Sequence, residues 1–239
     1  MDDVKQSPRW FPRCLRWLRH GWARHCMVSG LAHAVDGLHP GWPAQLPWLE
    51  VRCRACGVAL DLPGLCGRCL AEPPPYCSVY APWHYAFPID RMIQRYKFHA
   101  ALALGPVLAT GLAEALRAER DTQQPWPDCL VPVPCHRQRI RQRGFDHVGL
   151  LAADLAGELN LTLARELLLR HRHTAPQTGM SKSQRRDNLR GAFVAKGQPA
   201  KHIALLDDVV TTGATVAACS RVLLAAGAES VEVWALARA

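Results

Sequence analysis

No stretch of about 18 or more uninterrupted apolar residues occurs in the chain, so no bilayer-spanning helix is expected. No secretory leader is expected either: Asp2 and Asp3 come first, and Arg or His interrupts each apolar stretch before residue 30. These two absences point to a cytoplasmic protein. No internal repeat is found, so a repeat architecture is not expected. Acidic residues are scarce, 20 against 29 Lys plus Arg, which leaves a net charge of +9. Such a deficit suits a polyanionic or phosphate-rich ligand. It is concentrated between Arg137 and Arg190, where eleven basic residues face five acidic ones. Disorder of the whole chain is excluded, because 49% of the 239 residues are hydrophobic. That length accommodates one α/β core and a small additional module.

Among the ten cysteines, four form two Cys-x-x-Cys pairs, Cys53/Cys56 and Cys66/Cys69, separated by nine residues. Each pair sets two thiolates on one tight turn, and two such turns supply the four ligands of a tetrahedral structural Zn²⁺ site. Gly57 and Gly67 follow a cysteine in each half, as expected if the turns need a positive φ. A thioredoxin-like redox pair accounts for one Cys-x-x-Cys but not for two. So small a module cannot fold on its apolar core alone, and the metal would supply its stability. Cys77 is a possible substitute ligand, whereas Cys129 and Cys219 read as small core residues.

Three segments are expected: a Trp- and Arg-rich extension over 1–45, the cysteine module over 46–75, and a larger domain over 76–239. In the first, Trp10, Trp17, Leu18 and Trp22 fall on a loose helical face among arginines; a poorly ordered extension is the favoured reading. Translation starting at Met27 would remove most of it. Pro73–Pro75 marks the exit from the module. Helical spacing of Ile89, Met92, Ile93 and Tyr96 predicts a helix over 88–98, and a second apolar helix is expected over 101–119. Residues 129–134 read as a buried strand halted by Pro132 and Pro134. A basic loop with Arg137, Arg139, Arg141, Arg143 and Gly144 comes next, then an amphipathic helix over 145–159. The polar, basic segment 170–193, with Ser181 as a capping residue, reads as a flap.

Residues 203–215 carry the most information. Ile203–Leu206 reads as a buried parallel strand, Asp207 and Asp208 as acids at its end, where open α/β sheets bind ligands. Backbone N–H groups of Thr211, Thr212, Gly213, Ala214 and Thr215 can wrap a phosphate at the start of the next helix, where the helix dipole also favours an anion. Gly213 permits the bend, and the two carboxylates remain to accept hydrogen bonds from ribose hydroxyls. A helix over 213–226, Gly227 as its stop and a strand over 231–237 complete the chain.

These thirteen positions resemble the phosphoribosyl-pyrophosphate (PRPP) loop of type I phosphoribosyltransferases. Adding the double Cys-x-x-Cys module, Val131–Pro134 with Arg143-Gly-Phe145, and the Gln177…Arg186…Asn188…Gly191-Ala-Phe193 block, the chain looks like the ComF/GntX family of competence-associated proteins over about residues 50–239. The family usually has Asn-Gln where Asp146 and His147 stand. The resemblance implies an α/β protein with a type I phosphoribosyltransferase-like, mostly parallel sheet flanked by helices and a small four-cysteine, zinc-ribbon-like module. It also implies PRPP binding and a role in DNA uptake during natural transformation, alongside single-stranded DNA and other competence proteins. Mg²⁺ would accompany PRPP. Asp207 and Asp208 would hold the ribose, while Arg141, Arg143 and flap residues Arg185 and Arg186 would neutralise pyrophosphate. His147, His171 and His173 are possible acceptor bases. The alternative is a non-catalytic DNA-binding factor that uses the pocket as a sensor, with Phe145, Tyr96 and Trp83 as base-stacking candidates.

Overall fold

The computed structural model describes residues 45–120, 125–171 and 191–239. The Trp-rich start and most of the expected flap, including His173, Ser181, Arg185 and Arg186, lie outside the described residues. Leu46–Ala239 forms one compact unit, which includes the cysteine module.

The described helices are α1 (Gly67–Ala71), α2 (Ile89–Phe98), α3 (Leu104–Glu119), α4 (Arg137–Arg143), α5 (His147–Leu159) and α6 (Ala214–Ala225). The strands are β1 (Ser78–Tyr80), β2 (Trp83–His84), β3 (Cys129–Pro132), β4 (Thr162–Leu163), β5 (Leu168–Arg170), β6 (Phe193–Ala195), β7 (His202–Val210) and β8 (Ser230–Arg238). Six of the strands make one sheet in the order β1-β8-β7-β3-β4, with β2 also on β8, and every pairing in it is parallel. β5 and β6 form a separate antiparallel pair.

The sheet is buried on both faces, which explains the continuous apolar runs of its central strands. Side chains alternate across a strand, so odd and even positions serve different layers. Cys129, Val131, Ile203, Leu205, Val231 and Val233 pack with Val216, Cys219 and Leu223 of α6 and with Leu168 and Phe193 of the hairpin. Leu130, Ala204, Leu206, Trp234 and Leu236 are buried on the other side, where α3 and α5 pack together against the sheet.

Chain connectivity places the ligand crevice. From β3 the chain crosses through α5 to β4 at one edge; from β7 it crosses through α6 to β8 in the opposite direction. Right-handed crossovers running opposite ways put their helices on opposite faces. β3 and β7 are neighbours, so the gap beyond their carboxyl ends is a topological switch point, the usual place for a ligand in such sheets.

Two details differ from the sequence reading. The basic stretch expected as a loop is helix α4, which ends at Gly144 with φ 87°. β7 runs on to Val210, so Asp207 and Asp208 lie within its last turn of pleat and not beyond its end. Pairing with β8 as far as Arg238 keeps that backbone extended.

Core truncation at Leu112, which is fully buried in α3, is expected to cost about 2–5 kcal/mol as Leu112→Ala, whereas Leu70→Ala on the exposed side of α1 should stay within about 0.5 kcal/mol. Urea denaturation of both variants checks this.

Candidate functional site

A cavity of about 910 Å³ opens at the switch point. Its walls come from the chain just after β3 (Val133, Pro134, Cys135), from Asp207 and Asp208 on β7, and from Thr211 and Thr215 of the loop entering α6. Lys97, Arg139, Arg143 and Arg170 also line it, so the basic excess of the sequence is partly gathered here.

Adjacent strand residues point to opposite faces, and the two acids therefore meet different surroundings. Asp208 turns toward α2 and α5. Lys97 Nζ donates to its Oδ2, and His147 Nε2 stands 3.2 Å from the same oxygen. Its Oδ1 accepts from the Val209 N–H at 2.9 Å. Burial alone would push the Asp208 carboxyl up from its ordinary 3.8, but the Lys97 ammonium and the His147 ring outweigh burial and hold it far below. Among the described residues no cation forms an ion pair with Asp207. Burial, and then the charge of Asp208, push its carboxyl well up. Burial also lowers the His147 value against the pull of Asp208, which keeps the ring neutral near neutral pH.

The loop expected to hold a phosphate makes the anticipated turn, but its residues divide between two cavities. Gly213 adopts φ 76° immediately before α6, a conformation that a side chain would strain. Tyr76 adds a steric reason, since a Cβ at Gly213 would stand 2.9 Å from its hydroxyl. The first N–H groups of α6 lack intrahelical acceptors and face outward along the helix dipole. Thr211 and Thr215 line the main cavity, whereas Thr212, Gly213 and Ala214 line a smaller recess of about 160 Å³ beside Arg68 and Arg221.

Of the arginines expected near pyrophosphate, Arg143 lines the cavity and Arg141 does not. The reason is helical spacing: Arg139 and Arg143 are four apart and share a face of α4, while Arg141 points to solvent. Asp146 occupies the cap position of α5, but its side chain makes no capping bond; it lies 4.0 Å from Arg165. His171 is exposed and outside the cavity lining. Two aromatics named as stacking candidates are core residues, Trp83 at 2% and Tyr96 at 1% exposure, and Phe145 packs on Tyr96 with centroids 6.3 Å apart. The exposed ring at the cavity is Phe98, which carries Arg143 5.2 Å from its centroid. Lys97 was missed in the sequence although α2 itself was foreseen. Its signal is weak: a single cation following Tyr96 on a predictable amphipathic helix.

The four expected ligand cysteines come together, with all four sulfurs within 4.8 Å of one another, and could hold a zinc ion. Cys56 and Cys66 Sγ are 3.7 Å apart, close to the roughly 3.8 Å between two thiolates on one tetrahedral zinc. Cys53 Sγ accepts from the Cys66 N–H at 3.3 Å; burial raises the Cys53 thiol, yet the N–H groups around it bring it down to about 6. Gly57 has the anticipated positive φ of 68°, but Gly67 begins α1 with ordinary helical backbone. Cys77 is exposed and is not part of the cluster. Arg238 ties this module to the cavity. Its Nε donates to the Cys56 carbonyl at 3.0 Å and its Nη1 to the Val210 carbonyl at 3.0 Å, with further bonds to Thr211 and Ala239.

The chain is 35% identical to competence protein F of Haemophilus influenzae over 221 residues, covering 90% of this chain and 96% of that one. The chain belongs to the ComF family. The DNA utilization protein YhgH of Salmonella typhi is 38% identical over 189 residues, 78% of this chain and 83% of the relative. No protein-family model matches. Among solved structures, a glutamine PRPP amidotransferase from B. subtilis overlaps 60% of this ComF-family chain and 30% of its own, at 18% identity and a TM-score of 0.38. Among the described residues no helix is long and apolar enough to cross a membrane.

Replacing Lys97 by Met leaves the buried Asp208 charge with less compensation, and a loss of about 3 kcal/mol is expected near neutral pH. The sign follows from the depressed carboxyl: its contribution is present above the ordinary carboxylate range and disappears as pH falls through the native value. The Lys97→Met penalty should therefore be full near pH 7 and smaller at about pH 3, where the pH has fallen below the unfolded carboxylate value of about 3.9. Urea titrations of both proteins at the two pH values measure it.

Proposed function

We propose that the cavity binds PRPP, or a closely related phosphorylated ribose, and that the protein acts in DNA uptake. The observation that carries this reading is the convergence of Asp207, Asp208, Thr211 and Thr215 with several cations at the sheet's switch point. The setting is supported by the two relatives, whose names describe competence and DNA utilization.

In this arrangement the 5-phosphate lies on the N–H groups and hydroxyls of 211–215, at the positive end of α6. Asp207, which forms no ion pair among the described residues, accepts from the ribose hydroxyls. Asp208 is already paired with Lys97 and His147, so its part is to orient those two groups. Arg143, with Arg139 on the same helix face, meets the pyrophosphate. Hard carboxylate oxygens suit Mg²⁺, and Asp207 with bound water is the donor set left for it. Bound there with PRPP, the ion would neutralise pyrophosphate charge. If transfer occurs, the bond from the anomeric carbon to pyrophosphate breaks as the bond to an acceptor forms. Positioning and charge neutralisation would then supply most of the rate.

The four-cysteine module holds one structural zinc, and the module in turn fixes the loop through Arg238. The competing reading is a DNA-binding factor that uses the pocket only as a sensor. Burial of Trp83 and Tyr96 removes two of its three stacking candidates.

Calorimetric titration with PRPP and Mg²⁺ tests the reading. Asp207→Asn with Thr215→Ala should weaken binding at least about tenfold, or about 1.4 kcal/mol. Unchanged heats in that folded variant would sink the assignment, and release of pyrophosphate by the wild type would distinguish turnover from sensing. For the module, Cys53→Ser with Cys69→Ser should lose one zinc per chain by elemental analysis and lower the melting temperature.

A further inference from the structure

A second group of metal-ligand side chains lies on the cavity wall. Cys135, Asp146 and His147 each offer one donor atom, and the three atoms lie within 4.8 Å of one another. Cys135 follows β3, whereas Asp146 and His147 open α5, so the short helix α4 and the turn at Gly144 bring them together.

Three observations give the group the character of a site. Cys135 Sγ is 3.6 Å from His147 Nδ1. With bonds of about 2.3 Å to sulfur and 2.05 Å to nitrogen, a tetrahedral zinc would hold those atoms roughly 3.6 Å apart. Asp146 Oδ1 is buried and has no hydrogen-bond partner among the described residues. A buried carboxylate oxygen in that condition is costly unless something binds it. The opposite ring nitrogen, His147 Nε2, stands 3.2 Å from Asp208. That pairing sets the tautomer in which Nε2 carries the proton and Nδ1 presents its lone pair toward Cys135, as ring partners of metal-bound histidines do.

We propose that Cys135, Asp146 and His147 form a second metal site, separate from the four-cysteine cluster, for a thiophilic divalent transition-metal ion such as Zn²⁺. One sulfur, one nitrogen and one oxygen ligand leave the fourth position to water. Cys135 and His147 both line the cavity, so that position faces it. Three protein ligands with an open site distinguish this set from the closed four-cysteine cluster. Arg143 is the competitor: its Nη1 lies 2.5 Å from His147 Nδ1. The arginine is half-buried and rests near the Phe98 ring, and metal binding requires it to swing off the nitrogen. The site thus exchanges a guanidinium for a metal on one nitrogen, which frees Arg143 for an anion in the same cavity.

The experiment uses the full chain without PRPP, so its outcome is independent of the phosphoribosyl reading. Protein is saturated with Zn²⁺, dialysed, and counted by elemental analysis. Wild type should retain one zinc per chain more than Cys135→Ser with His147→Gln, with the zinc of the four-cysteine cluster and the circular dichroism of that variant unchanged. Equal zinc content overturns the proposal. Should the double variant fail to fold, Co²⁺ titration of wild type and Arg143→Gln decides. Removal of the competing guanidinium should tighten Co²⁺ binding several-fold at a site with a single-thiolate charge-transfer band, and no such tightening overturns it.

Discussion

The buried carboxylate of Asp208 is the constraint on which the cavity depends. A charge this enclosed survives only if cations and donors surround it. Lys97 comes from the end of α2 and His147 from the start of α5, so meeting Asp208 pins two helices to the same point on β7. Tyr96, one residue before Lys97, donates to the His147 carbonyl at 2.9 Å and closes the same corner. The cavity floor is therefore a polar network inside an apolar layer. Networks of this kind are rigid when satisfied and costly when broken.

A second buried charge organises the opposite side. Arg238, at the end of β8, spends its donors on the carbonyls of Cys56, Val210 and Thr211. Those carbonyls belong to the first cysteine knuckle and to the chain leading into Gly213. The cysteine module is thus part of the frame that holds the loop. Arg68 of α1 adds a long contact to the Thr212 carbonyl at 3.4 Å. A module too small to fold on its own apolar residues is connected in this way to the shape of the loop before α6.

Much of the architecture was legible in the linear chain because its signals are local. Apolar runs announced β3, β7 and β8; helical periodicity announced α2, α3, α5 and α6; paired cysteines announced their cluster. Reading 137–143 as a loop failed because its four arginines carry no apolar stripe, and α4 buries none of its residues. Calling that stretch a loop also equated Arg141 with Arg143, which a helix separates by direction. The paired roles given to Asp207 and Asp208 came from their adjacency; both line the cavity, but only Asp208 meets Lys97 and His147.

Sequence alone determined most of the longer elements, the Gly213 turn, the candidate acids and the four clustered thiols, because each depends on residues near one another in the chain. Only the tertiary structure decided that Lys97 and His147 would claim Asp208 and not Asp207, and that Arg238 would join the knuckle to the loop. Those pairings span 111, 61 and 182 residues. Contacts at such separations leave no periodic trace, since they arise where crossovers of a parallel sheet bring distant strand ends and helix ends to one crevice.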